Sequence, residues 1–182
     1  MKTTIRTQSP PEDAREAARL YCLRRMKILE TAAEEGFDSI TRAAARHFNV
    51  PIALISLVDE KRQWFKSRVG LDVCETARQD SFCAHAIGRK DVFVVEDALK
   101  DERFANNPLV TGDPFIRFYA GALITIDGHD LGTLCVIDRQ PRRFGPHEQQ
   151  ELSRMAHLVK RQIKFHSRMT GRFRIQEKGM AS

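Results

Sequence analysis

The sequence predicts an α+β domain in which a central antiparallel sheet is flanked by helices near both ends of the chain. Two observations predict this class. Amphipathic helical patterns occupy the first and last parts of the chain, and short apolar runs joined by turn residues occupy the middle. With 42% hydrophobic and 30% charged residues, a chain of 182 residues can bury one core without a metal or a disulfide.

Two amphipathic helices are predicted before the first strand. The first begins at Pro11, where Glu12 and Asp13 lie near the positive end of the helix dipole, and continues to about Glu30. The second carries an apolar stripe formed by Phe37, Ile40, Ala44 and Phe48. Each helix therefore offers one face to a core.

A first β-hairpin is predicted after these helices. The run from Pro51 to Val58 is short, apolar and rich in β-branched residues, which is typical of a buried strand. Residues 63–69 lie close enough to pair with it across a turn at 59–61. This hairpin begins the predicted sheet.

The middle of the chain predicts a short helix, a short strand and a long loop. The helix covers 80–87 and is capped by Asp80 or Ser81, and the strand covers 92–95. The polar stretch 97–113 is longer than most loops of compact domains. Its length indicates that it binds something or covers a site.

A second hairpin and a long helix complete the predicted domain. Residues 117–126 and 131–137 flank Asp127-Gly128, a strong hairpin signal because glycine tolerates positive φ. The last helix begins at Pro146. Its inner residues recur at three and four positions: Leu152, Met155, Val159, Ile163 and His166. This stripe either packs onto the sheet or packs against the same helix of a second copy, and the sequence does not decide between the two.

Composition indicates a cytoplasmic protein with no membrane insertion. The apolar runs are far shorter than the ~20 residues of a membrane-crossing helix, and the first eleven residues show no signal-peptide pattern. The four cysteines are unevenly spaced without a CxxC, which favours free thiols over a disulfide framework. The net charge of +6 is concentrated after Arg139, as in a solvated helix face.

Six segments together resemble the GAF domains of bacterial signalling proteins. They are Phe37–Thr41, Val50–Asp59, Arg62–Lys66, Asp80–Ile87, Arg117–Leu123 and Leu131–Asp138. The resemblance runs from about Leu23 to Leu158. It implies a sheet of five or six antiparallel strands with the terminal helices on one face and a ligand pocket on the other. The expected division is a leader at 1–11, the GAF domain at 12–170 and a basic flexible tail at 171–182.

The same resemblance implies a non-catalytic sensory domain that binds a small molecule and signals through its terminal helices. A homodimer and a signalling protein partner are expected, specific nucleic-acid binding is not, and the sequence names no cofactor. Aromatic walls with a few polar groups suit a small-molecule cleft. The residues implied to line it are Trp64, Phe65, Ser81, Phe82, Cys83, His85, Asp97, Phe104, Phe118 and Tyr119.

Two alternatives to a ligand sensor stay open. Free methionine-(R)-sulfoxide reductase is a GAF-fold enzyme with three cysteines, and Cys74 and Cys83 resemble the first two. The third would fall near 106–108, where this sequence has no cysteine. The second alternative is a dimerisation scaffold without a ligand.

Other chemistries have weaker signals in the sequence. Cys83 and His85 lie two residues apart on a predicted helix and so point to different faces, which disfavours a nucleophilic pair. The cysteines and His85 lack the ligand spacing of structural zinc sites. The cyclic-nucleotide and bilin signatures of the family are absent, and haem ligation through His85 stays open. The basic residues of the tail lack an accompanying DNA-binding motif.

Overall fold

The computed structural model describes the backbone of residues 11–179 and the side chains of residues 11–171. The helices are α1 (Glu12–Arg25), α2 (Glu35–His47), α3 (Phe82–Ala86), α4 (Pro108–Thr111) and α5 (Pro146–Gly179). The strands are β1 (Ile52–Val58), β2 (Arg62–Val69), β3 (Glu75–Ala77), β4 (Phe93–Val95), β5 (Phe118–Ile126) and β6 (His129–Asp138). A 3₁₀ turn at Arg78–Asp80 joins β3 to α3.

All six strands form one antiparallel sheet in the order β3-β2-β1-β6-β5-β4. The predicted fold class is therefore confirmed. The β5–β6 hairpin turns at Asp127 and Gly128, whose φ angles of 50° and 81° are both left-handed. Two such residues match the right-handed twist of a tight hairpin, which explains the strength of this sequence signal.

The two faces of the sheet bury two separate cores. Helices α1, α2 and α5 cover one face with a continuous apolar layer that includes Leu23, Phe37, Leu152 and Val159. The opposite face is covered by α3, α4 and the loops around them. The terminal helices thus lie on one face, as expected, and the loop-rich side lies on the other.

Three elements differ from their sequence predictions. The first helix ends at Arg25 and not near Glu30, because the chain enters left-handed conformations at Lys27 and Glu30. Strand β3 was not predicted, since three residues are too few to show an alternating pattern. Helix α4 was also not predicted. It is a single turn that begins at Pro108 and is capped by Asn107.

The last helix reaches Gly179, so its backbone includes most of the segment expected to be a flexible tail. No proline interrupts this segment, and its arginine, lysine and glutamine residues favour helix. The side chains of 172–182 lie outside the described residues, as do residues 1–10 of the expected leader. Within the described part of the chain, no helix combines the length and apolarity needed to cross a membrane.

Candidate functional site

The residues expected to line one pocket are divided between the two cores. Trp64 and Phe118 lie in the core on the helix side of the sheet, where the Phe118 ring is 5.4 Å from the ring of Phe144. Phe65 and Tyr119 lie in the opposite core. Successive side chains of a strand point to opposite faces, so two consecutive residues cannot line the same pocket. The structure therefore does not place Trp64 and Phe118 at the expected site.

Aromatic side chains pack against one another beneath α3. The ring of Phe82 stacks on Phe104 with centroids 4.0 Å apart and lies 5.2 Å from the ring of Tyr119. Phe65 and Cys83 are buried in the same core. The structure thus brings five of the expected residues together as packing partners.

The three other expected residues are polar and lie around this aromatic core. Ser81 caps α3 by accepting a hydrogen bond from the Ala84 amide at 3.0 Å. His85 is exposed on the outer side of α3, and partial burial with the cations Arg103 and Arg89 lowers its pKa. The Asp97 carboxylate accepts a hydrogen bond from the Leu99 amide at 3.2 Å and forms an ion pair with Lys100 at 3.0 Å.

A cavity of about 150 Å³ lies next to this core, between the sheet and the segments around β3 and α4. It shares Phe65 with the expected pocket. Its lining residues are Ile52, Leu54, Gln63, Phe65, Leu71, Val73, Thr76, Leu109, Asp113, Pro114, Ile116 and Ile137. Most of these are apolar, and the polar groups are few, as in small-molecule sites.

The position of this cavity was not predicted, but one signal pointed to it. The stretch 97–113 was expected to cover a site because of its length. Leu109 and Asp113 belong to that stretch and form one wall of the cavity. The wall formed by β3 had no signal, because that strand was itself missed.

The polar part of the cavity wall is fixed by hydrogen bonds. The Gln63 side-chain amide donates to the Thr76 hydroxyl at 2.9 Å. The Gln63 side-chain carbonyl accepts hydrogen bonds from the hydroxyls of Ser56 and Ser81. Strands β1, β2 and β3 and the start of α3 are therefore tied together through one side chain.

A charged network connects the same region to α1. The guanidinium of Arg19 is 4% exposed, donates to the Val58 carbonyl at 2.6 Å and holds the Glu16 carboxylate by two bonds of 2.7 Å. Arg78 begins the 3₁₀ turn two residues after Thr76 and also donates to Glu16, at 2.6 Å. The carboxylate of Glu16 thus joins α1 to the turn that follows the cavity wall.

This network predicts a specific acid sensitivity. Hydrogen bonds from Arg19, and then from Arg78, outweigh burial and lower the pKa of Glu16 from 4.5 to about 2. The stabilisation is complete above pH 4.5 and is lost as the pH falls towards 2. We expect the free energy of unfolding of Glu16→Gln, measured by urea titration, to fall less steeply than that of the wild type as the pH is lowered from 4.5 towards 2. Glu12→Gln, on the same helix, should show the same dependence of unfolding free energy on pH as the wild type. An equal dependence in all three proteins would contradict the network.

Helix α5 is anchored by a second buried cluster. The His166 ring nitrogens lie 2.9 Å from a Glu34 carboxylate oxygen and 3.1 Å from the Lys27 carbonyl oxygen. The buried ammonium of Lys66 donates to Glu34 and to the Ala32 carbonyl, each at 2.7 Å. This cluster ties α5 and β2 to the α1–α2 connection, so both terminal helices have polar contacts with the domain.

The family comparison matches residues 32–163 to the GAF domain. A cyclic di-GMP phosphodiesterase of Pseudomonas aeruginosa is 48% identical over 153 residues. The match covers 84% of this chain and 26% of that protein, so the chain spans about a quarter of its relative's length.

Several solved structures share the fold at low sequence identity. The GAF domain of an Acinetobacter phosphoenolpyruvate-protein phosphotransferase has a TM-score of 0.62 and 22% identity, covering 81% of this chain and 93% of that one. Free methionine-R-sulfoxide reductase of Neisseria meningitidis has a TM-score of 0.61 and 13% identity, and the match covers 92% of this chain and 98% of that one. The PixJ GAF domain of Thermosynechococcus elongatus has a TM-score of 0.51 and 14% identity, and the match covers 88% of this chain and 92% of that one. These likenesses concern the fold alone.

Proposed function

The chain belongs to the GAF domain family, and from this premise we propose that it is a non-catalytic regulatory domain that binds a small molecule in the cavity beside Gln63 and Thr76. Binding is relayed to a signalling partner through the terminal helices. The relative named as a cyclic di-GMP phosphodiesterase supports a role in signalling. In this proposal the domain regulates such an activity and does not perform it.

One observation carries the proposal: the cavity wall and α1 are connected by consecutive contacts. Thr76 lies in the wall, Arg78 follows it by two residues, and Glu16 on α1 accepts a hydrogen bond from Arg78. A ligand that displaces β3 must therefore move Arg78 or break its bond to α1. Such a ligand shifts α1 only insofar as it binds the two arrangements with different affinity.

The cavity defines the class of ligand that we propose. A volume of about 150 Å³ with apolar walls suits a molecule of about the size of benzene. The hydroxyl of Thr76 and the amide of Gln63 lie on one side and can bind one polar group. The proposed ligand is therefore small and mainly apolar, with a polar end directed towards β3.

Native mass spectrometry of the purified chain tests this binding. Leu109→Trp fills the cavity, whereas Leu99→Trp places the same side chain at an exposed position outside it. We expect a retained non-protein mass in the wild type and in Leu99→Trp, and none in Leu109→Trp. The same mass in all three proteins would contradict the site. Reduction of free methionine sulfoxide by the chain with thioredoxin would instead favour the enzyme alternative.

We also propose that the domain forms a homodimer through the outer faces of α1 and α5. Large apolar side chains are exposed there: Tyr21 on α1 is 66% exposed, and Leu158 and Phe165 on α5 are 47% and 58% exposed. Leu158 and Phe165 are seven residues apart and share one helix face. The acidic start of α1, Glu12 and Asp13, complements the exposed arginines of α5. These exposed apolar side chains and opposite charges therefore favour a second copy of the chain as the partner of this surface.

Sedimentation equilibrium tests the dimer. A charge at Phe165 would have to be desolvated in the interface, so we expect Phe165→Glu to weaken dimerisation by about tenfold or more. Leu99→Glu adds the same charge at an exposed apolar residue elsewhere and should leave the dissociation constant unchanged. Equal dissociation constants for the two variants would contradict this interface.

A further inference from the structure

Two thiols lie next to each other beneath α3, in a part of the core that the proposed ligand site does not use. The Sγ atoms of Cys83 on α3 and Cys135 on β6 are 3.9 Å apart. Cys83 is 2% exposed and Cys135 is fully buried, and both are free thiols. A disulfide requires the sulfurs to approach to about 2.05 Å, a movement of about 2 Å.

Polar groups surround Cys83 in a way that favours its thiolate. The hydroxyls of Thr133 and Tyr119 donate to its Sγ at 3.1 and 3.2 Å. Burial opposes ionisation, but hydrogen bonds from Cys135, Thr133 and Tyr119 to the sulfur outweigh it and lower the pKa of Cys83. The two cysteines thus differ, because burial and the neighbouring Cys83 raise the pKa of Cys135. A thiolate beside a protonated thiol is the arrangement of an attacking and a resolving cysteine.

The other two cysteines provide an internal comparison. Cys22 is buried, donates to the Ile126 carbonyl at 3.6 Å, and has its pKa raised by burial. Cys74 is exposed on the loop before β3. Exposure alone would make Cys74 the first thiol to react, whereas the surroundings described above favour Cys83.

The segment that carries Cys83 is suited to a small movement. Helix α3 has five residues and ends just before Gly88, whose φ of 80° is left-handed. One side chain, Ser81, caps its first turn. We expect the left-handed glycine after so short a helix to allow α3 the small shift towards β6 that a disulfide needs.

We propose that Cys83 and Cys135 form a redox couple that a small hydroperoxide converts into a disulfide between α3 and β6. The Cys83 thiolate attacks one peroxide oxygen, the O–O bond breaks, and the released oxyanion takes a proton, leaving Cys83 as a sulfenic acid. Cys135 then loses its proton, its sulfur attacks the Cys83 sulfur, and the S–O bond breaks with release of water. In total, two thiols lose two electrons and one hydroperoxide is reduced. A dithiol reductant restores the thiols.

This couple would give the domain a second input besides the ligand. The disulfide would fix α3 against the sheet, and Gln63 and Ser81 connect α3 to the cavity wall. Thr133 and Tyr119 would lose the thiolate that accepts their hydrogen bonds. Oxidation would therefore alter the packing of the loop-rich face, whether or not a ligand is bound.

Peptide mapping of the full chain after exposure to hydrogen peroxide tests the couple. Remaining thiols are alkylated under denaturing conditions before digestion. We expect a linked Cys83–Cys135 peptide pair that is lighter by two hydrogens, with Cys22 and Cys74 still alkylated, and reversal by dithiothreitol. The wild-type map is sufficient for the test, because it reports the state of every cysteine without relying on a variant.

Three variants make the test sharper. In Cys135→Ser, the sulfenic acid of Cys83 should accumulate and be trapped by dimedone, because the resolving thiol is gone. Cys22→Ser and Cys74→Ser should form the linked pair as the wild type does. Oxidation of Cys74 while Cys83 and Cys135 stay alkylatable, or a disulfide to either of the other cysteines, would overturn the proposal.

Discussion

Replacing Arg19 with methionine is expected to lower the free energy of unfolding by about 3 kcal/mol, because breaking a buried ion pair leaves uncompensated polar groups. The guanidinium is almost fully buried and bonds to both Glu16 and the Val58 carbonyl. Methionine fills similar space but donates no hydrogen bond. Urea denaturation followed by circular dichroism measures the change.

The control for this substitution is Arg24→Met, on the same helix. Arg24 is exposed and pairs with Glu60, which is also exposed. Such surface pairs contribute about 1 kcal/mol or less, so this variant should stay close to the wild type. Similar losses of unfolding free energy in the two variants would contradict the role of Arg19 as a stabilising buried polar contact of α1.

Replacing Gly132 with alanine is expected to cost about 3 kcal/mol, at the upper end of the usual cost of overpacking. A Cβ atom at this position would lie 1.9 Å from the Ser56 carbonyl oxygen and 2.9 Å from the Leu57 Cα atom. Both are backbone atoms of β1, so neither can rotate away. The pairing of β1 with β6 would have to shift, and thermal and urea unfolding both measure the loss.

Gly128→Ala separates this steric effect from the general loss of a glycine. Gly128 has a left-handed φ of 81°, but its added Cβ would meet no atom within 4 Å. We expect a cost of about 1 kcal/mol, because only the backbone conformation is disfavoured. An equal cost at the two positions would show that the close approach of β1 and β6 is relaxed in solution.

The sequence predicted the main frame of this fold because its signals are local. Asp127-Gly128 requires left-handed backbone angles, and Pro146 precedes a regular apolar stripe, so the hairpin and α5 were both recognisable. Strand β3 was missed because Glu75–Ala77 forms a strand only through its pairing with β2. Its existence depends on a tertiary contact that no local pattern reports.

The site was predicted less well than the fold, for two physical reasons. Strand alternation sends Trp64 and Phe118 to the helix side, although their neighbours Phe65 and Tyr119 face the loops. Aromatic residues that would suit a ligand also suit one another, and Phe82 stacks on Phe104 where a ligand was expected. The sequence alone does not distinguish a lined pocket from a filled core.

The connection between the cavity and α1 could not be predicted from the sequence either. Glu16, Arg19 and Arg78 are ordinary charged residues until the fold brings α1 beside the 3₁₀ turn. One available signal was the position of Arg19 on the apolar side of its helix, one turn before Leu23. A charged residue at such a position indicates a buried partner, but it does not identify the partner.

We propose that occupation of the cavity is relayed through Arg78 to α1. It is tested most directly by an NMR titration of backbone amides with benzene as the cavity probe, in the wild type and in Arg78→Met. We expect saturable shifts at the cavity wall in both proteins, and shifts along α1 in the wild type alone. Shifts that stop at the cavity wall in the wild type, or that reach α1 equally in Arg78→Met, would contradict it, and no saturable shift at all would favour a scaffold without a ligand.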